Sequence, residues 1–383
     1  MKICFFGTYE KNYPSNRIII KGFKKHGIEI IECHIPLWEK YRNKNGKFLK
    51  IFSILKLGIG LLKAYCILFF KFSKKCKKVD VIIIGYIGQL DIIFLKCLLF
   101  FKIKKPKIIF IPLVSLYDTA IIDRNLSKEN NLFAKLLFYI DKLSFKIADL
   151  VIFDTKEHIN YISNLFSIDK NKFKRVWVGA DEEVFYPLSE RNKKTNNVFQ
   201  VLFFGKYIPL HGIEYIIRAA KLLEKEKSIR IKMIGNGQLY QKIKNLSNKL
   251  EIRNIDFIEW IEYDKLLKEI NKADVVLGIF GGTNKSLRVI PNKIFQAVAC
   301  KKAVITGDSS AIKELFTDKK NILLCKNKNP ESLKNAILKL KSDNLLKNKI
   351  SENSYFLFIK KLNTLNIAKK VLKNFKIFNI YEK

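Results

Sequence analysis

The sequence predicts an α/β protein of two Rossmann-like, doubly wound domains facing a central cleft. Three observations carry that prediction. Short apolar, β-branched runs alternate with helix-period segments along the 383 residues, as in parallel sheets covered on both faces. The length exceeds one ordinary domain and suits two. One polar segment, SERNKKTNN at residues 189–197, interrupts the alternation before it restarts.

In the first half the strand candidates are KICFF, IEIIEC, DVIIIG, KIIFIP, DLVIFD and FKRVWV, with helices expected at 15–26, 90–101 and 132–147. After the break, QVLFFG, IRIKMIG, IDFIEW, DVVLGIF, AVIT and NILLC alternate with helices at 213–225, 239–250, 263–271, 291–300 and 331–341. The expected organisation is one domain at residues 1–190, a second at 198–350 and a helical tail at 351–383. Open α/β sheets bind ligands at the carboxyl ends of their strands, near the switch in strand order.

Apolar residues make up 48% of the chain, enough for two cores. Lysine and arginine number 72 against 35 acids, a formal net charge of +37, which favours polyanionic or phosphorylated partners. The sequence is rich in Lys, Ile and Asn throughout, so part of that charge is compositional. The seven cysteines are odd in number and form no CxxC pair. With a strand-like N-terminus in place of a signal peptide, they predict reduced thiols and a cytoplasmic enzyme.

The most informative stretch is DVVLGIFGGTNKSLRVIPNKIFQAVACKKAVITGD at 274–308. A strand runs into Gly281-Gly282, a polar loop follows, and Pro291 is expected at the first helical position. Asn292 and Lys293 stand in the first turn, where helix amides attract anions. Arg288 precedes them in the loop and Gln296 lies one turn on. A diphosphate suits this set; an ordinary strand–helix junction with a solvated lysine is the alternative. In FFGKYIPLHG at 203–212, Gly205 permits close backbone approach, and Lys206 and His211 flank the same space. In IGNGQ, Gly235 and Gly237 make a tight strand-to-helix turn.

From about residue 148 to 340 these segments resemble the family-four retaining glycosyltransferases of GT-B architecture. The shared motifs are ADLVIFDT, VGADEEVFYP, FFGKYIPLHGIEYIIRAA, IGNGQ and the IPNK helix. The N-terminal half matches more loosely, through the Gly7 loop and KHGIEI. The resemblance implies a nucleotide-sugar donor, bound by Gly7, Gly205, Lys206, His211, Gly235, Gly237, Arg288, Asn292, Lys293 and Gln296. It further implies a glycan or polyprenyl-linked acceptor, cell-surface polysaccharide or glycoconjugate synthesis, and neither cofactor nor metal.

This sequence departs from the family in three places. The family's basic pair reads Lys206 and His211, so one fixed charge becomes titratable. Its two glutamates eight positions apart read Arg288 and Gln296. Its N-domain histidine has no counterpart; PLVSLYDT at 112–119 occupies that place and makes Asp118 the acceptor-facing candidate, with Asp123 and Arg124 as alternatives.

Residues 47–78 carry a further signal. On a helical wheel Lys50, Lys56, Lys63, Lys71 and Lys74 share one side, and aliphatic and phenylalanine side chains cover the other. That is the pattern of a basic amphipathic helix on an anionic membrane, or of a helix packed on the sheet. Rival functions are a sugar-nucleotide 2-epimerase, a non-catalytic subunit and a basic nucleic-acid-binding protein. The last lacks any nucleic-acid-binding motif, and its basic residues are dispersed.

Overall fold

The computed structural model describes residues 1–41, 51–76, 78–100, 102, 104–189 and 198–375. Its contacts divide the chain into two units, Met1–Val178 with Thr364–Lys383, and Gly179–Asn363. The polar break at 190–197 lies outside the described residues.

The first unit is a six-stranded parallel sheet. Its strands are β1 (Ile3–Gly7), β2 (Ile30–His34), β3 (Val81–Ile84), β4 (Lys107–Phe110), β5 (Leu150–Phe153) and β6 (Phe173–Arg175), in the order β2-β1-β3-β4-β5-β6. Helix α1 (Pro14–Lys25) covers one face. Helices α2 (Ile51–Lys75), α3 (Gln89–Leu98), α4 (Leu132–Ile147) and α5 (Lys156–Phe166) follow in sequence, and all four contribute to the core on the other face. Burial on both faces explains why strands such as VIII at 81–84 read as unbroken apolar runs.

The second unit holds β7 (Phe199–Phe204), α6 (Ile213–Leu222), β8 (Ile229–Ile234), α7 (Tyr240–Lys249), β9 (Ile255–Ile258) and α8 (Tyr263–Lys272). After these come β10 (Val275–Leu277), α9 (Asn292–Ala299), β11 (Ala303–Gly307), α10 (Ser310–Lys313), β12 (Leu323–Cys325), α11 (Pro330–Ser342) and α12 (Asn344–Lys361). The parallel order is β12-β11-β10-β7-β8-β9. Numbered within the unit this is 3-2-1-4-5-6 read from the other edge, the order of dinucleotide-binding sheets. Its switch point lies between β7 and β10.

The chain's last described segment divides between the units. Helix α12 packs on α9 and β11 of the second, whereas α13 (Thr364–Phe375) returns to α1 of the first. Gly22 makes that return possible: a methyl group there would collide with the Thr364 carbonyl and Ala368. Phe375 then packs into the core beside Phe23.

Candidate functional site

The loops after β7, β8 and β10 meet at the switch point of the second unit, backbone against backbone. Gly205 ends β7 with φ +140° and its amide donates to Ile234 O at 2.9 Å. Gly235 carries φ +134°, and any Cβ on it would collide with the Gly205 carbonyl. Gly237 lies against Tyr207, whose amide donates to Asn236 O at 3.1 Å. On the other side the turn at Pro209–His211 abuts the end of β10, and Phe280 N donates to His211 O at 3.0 Å. Glycine is required here because main chains replace side chains as neighbours.

Helix α9 starts beneath this junction. Pro291, expected at the first helical position, is instead the residue before it: its ψ of 145° is extended, so Asn292 opens the helix and Lys293 is second. Proline offers no capping side chain, and the first turn holds no acid. The amides of that turn therefore favour an anion.

Lys293 is the residue that marks the place. A Cβ on Gly205 would stand 3.1 Å from its Nζ and 3.3 Å from His211 Cε1. The ammonium group is buried, has no hydrogen-bond partner among the described residues, and lies 3.7 Å from the Phe203 ring centroid. Burial pushes its pKa well below the usual lysine range. The ring face compensates in part, but a buried cation without an acceptor stays costly.

His211 is held by a 2.5 Å contact between its Nδ1 and Lys206 O. A carbonyl only accepts, so Nδ1 carries the proton. Lys206 itself is exposed at the end of β7. The structure thus gathers Gly205, Lys206, His211, Gly235, Gly237 and Lys293 around one space, with Asn292 at its helical edge.

Other expected site residues lie differently. Gln296 donates to Tyr263 OH at 3.3 Å, on the side where Tyr263 meets Phe185. Arg288 is buried in the loop after β10. Buried Lys285 stands near it, a position that a polar loop in the sequence does not reveal. Gly7 belongs to the first unit, where its φ of +127° lets the Asp91 carboxylate approach the main chain.

Asp118 has no exposed surface. Its amide donates to Ser115 Oγ at 2.9 Å, which helps close a turn. Asp123 closes the same segment and is also buried. The hub of this region is Asp141, which accepts from Ser115 Oγ at 2.7 Å and Tyr117 N at 2.8 Å. Burial pushes its pKa up to about 6 against the pull of those bonds. Asp91 is the counterpart at the switch point of the first sheet: it accepts from Thr8 N at 2.8 Å and Thr8 Oγ1 at 2.9 Å. Burial pushes it up to about 7.

Among the expected membrane residues, Lys56 and Lys63 are exposed on α2, and Lys50 lies outside the described residues. Lys71 is engaged otherwise, donating to His34 O at 3.2 Å. The helix packs Ala64, Leu68 and Phe72 inward and leaves Leu62, Phe69 and Phe70 exposed. No described helix is long and apolar enough to cross a membrane.

Residues 187–356, which span these loops and α9, match the family model for glycosyl transferases group 1. The second unit is thus similar to the group 1 glycosyl transferases over most of its length. An uncharacterized glycosyltransferase of Methanocaldococcus jannaschii is 28% identical over 256 residues, 64% of this chain and 62% of that one. The chain thus spans about three-fifths of that relative's length. Among solved structures, sucrose-phosphate synthase from Thermosynechococcus elongatus shares the fold at TM-score 0.73 and 14% identity, covering 99% of each chain. HepE of Anabaena, solved in complex with UDP-glucose, matches at TM-score 0.69 and 14% identity over 98% of this chain and all of that one. The matched segment contains the converging glycine loops and the buried Lys293.

Proposed function

We propose that the protein is a glycosyltransferase that moves a sugar from a nucleotide-sugar donor to a glycan or lipid-linked acceptor with retention, in cell-surface polysaccharide or glycoconjugate synthesis. The observation that carries this is Lys293: a buried amine without an acceptor, at the uncapped start of α9, below three interlocked glycine turns. A diphosphate would supply the missing acceptor. The complex of HepE with UDP-glucose, on the same fold, supports a sugar nucleotide as its source.

Departure of a nucleoside diphosphate builds negative charge on phosphate and an oxocarbenium-like sugar. Lys293, the first-turn amides of α9, Lys206 and Nε2 of His211 would stabilise that charge as it grows. These groups take the part that a metal would otherwise play, and the reaction is expected to run in excess chelator. In a retaining course the departing phosphate oxygen takes the acceptor's proton on the same sugar face, so no protein base is needed there.

The place of action is proposed to be the cytoplasmic face of an anionic membrane. Exposed Lys56 and Lys63 beside Leu62, Phe69 and Phe70 on α2 support it, as do the seven free thiols.

A thermal-shift panel of UDP-, GDP-, dTDP- and ADP-sugars tests the donor reading. A ligand at a hundred times its dissociation constant adds about 2.7 kcal/mol of stability, so one nucleotide should raise the midpoint by roughly 5–10 °C. A flat response to all four would remove the reading.

A further inference from the structure

A helix covering a sheet normally turns its polar side to water. Helix α4 buries Ala134, Asp141, Ser144 and Phe145, and so meets the core partly through polar groups. Its outward stripe is apolar. Leu132, Leu136, Tyr139 and Leu143, at i, i+4, i+7 and i+11, are exposed by 81%, 55%, 65% and 47%. Four large apolar side chains in one helical stripe exceed the scattered exposure usual on a soluble surface.

The stripe continues across its neighbours. Helix α3 packs on α4, and Phe100, just past its end, is exposed. On the far side Phe94 of α3 stacks on Tyr65 of α2 at 4.4 Å between centroids, where Leu62 and Phe70 face outward. The three helices form one layer of the first unit.

Charge selects the occupant. The three helices contain two acids, Asp91 and Asp141, and both are buried. Their exposed charges are all positive, among them Lys56, Lys63, Lys135 and Lys146. The exposed charges of the three helices are cations, which repel their own copies in a symmetric dimer and complement anionic lipid; Glu129 and Asp149 are exposed just outside the two ends of α4.

We propose that the outward face of α4 is a membrane-insertion surface, its leucines and Tyr139 entering the boundary between headgroups and acyl chains of an anionic bilayer. The inference rests on the α2 reading above for the bilayer and the surrounding cations, and adds to it the exposed side chains of α4.

The test is flotation of the full chain with vesicles of phosphatidylcholine and phosphatidylglycerol. It compares wild type, a Leu132→Gln/Leu136→Gln/Leu143→Gln variant and a Lys56→Glu/Lys63→Glu variant, each checked by circular dichroism and sedimentation. The substituted side chains are exposed, so folding should survive. The leucine variant should bind at least about tenfold more weakly than wild type, because each leucine withdraws apolar area from the bilayer. The Tyr139→Trp variant should show, as a difference from wild type, blue-shifted emission that appears only with the anionic vesicles.

Wild-type flotation of the leucine variant, with no added blue shift, overturns the α4 proposal; release of the lysine variant in the same assay would leave α2 standing. Loss of self-association in the leucine variant without a change in flotation would assign the face to a second copy, again overturning it. No flotation of wild type removes both readings.

Discussion

Three buried ionisable residues, Asp91, Asp141 and Lys293, shape how this chain responds to pH. Asp91 is buried where β1 meets α3, and its folded pKa of about 7 lies above the ordinary 3.8. A raised acid pKa means the folded state holds a proton that the unfolded state releases. The stability from this group is therefore fully present below about pH 4 and is lost as pH rises through 7. On the order of 2–4 kcal/mol should disappear across that window, visible as a falling midpoint in denaturant melts from pH 5 to 8. Asp91→Asn cannot ionise and should reduce the difference between the two pH values, leaving the part that comes from Asp141. An unchanged slope would place the ionisation elsewhere. Neither this shift nor that of Lys293 was legible in the sequence. An aspartate in QLDIIFLK and a lysine in IPNK look solvated until tertiary packing encloses them; the pattern supplied only their positions.

At the scale of elements, the donor-side loops depend on glycine for two separable reasons. Gly235 has the Gly205 carbonyl where a Cβ would go. Gly235→Ala should therefore force backbone apart and cost on the order of 2–4 kcal/mol in denaturant unfolding. At Gly205 the Cβ would meet the movable end of Lys293, so the cost of Gly205→Ala is mainly its φ of +140°, about 1–3 kcal/mol. Its larger effect should fall on binding, since it fills the space before the amine. Equal stability losses with intact binding in Gly205→Ala would contradict this geometry. The elements themselves were largely readable: buried parallel strands announce themselves as β-branched runs, and the helix expected at 132–147 forms at Leu132–Ile147. What could not be read was direction. Helix α4 is apolar nearly all round, so periodicity does not say which stripe meets the sheet. On α2 the wheel placed Lys71 with the free lysines, whereas a neighbouring strand offers it a carbonyl.

At the scale of the molecule, the two sheets followed from one break in an alternating pattern, but the assignment of the tail did not. Helices α12 and α13 are separated by two residues and belong to different units. That choice rests on Gly22 opening a path for α13, a contact between residues more than 340 positions apart. The net charge of +37 likewise acquires meaning only by placement. In the α2–α4 layer the acids are buried and exposed lysines rim apolar side chains. In the second unit one amine is withdrawn from solvent at the switch point of the sheet.

The diphosphate assignment rests on that amine. The most direct measurement is calorimetric titration of wild type and Lys293→Ala with the nucleoside diphosphate that stabilises the protein most, in two buffers of different ionisation enthalpy. Burial favours the neutral amine in the free protein, whereas a diphosphate favours the cation. Binding should therefore take up a proton, weaken as pH rises and give buffer-dependent heats. Losing the charge-assisted contact should cost about 1.5–3 kcal/mol, roughly a ten- to hundredfold loss of affinity, and the proton uptake should vanish with it. Equal affinity and equal buffer dependence in the two proteins would contradict the assignment of the diphosphate to α9.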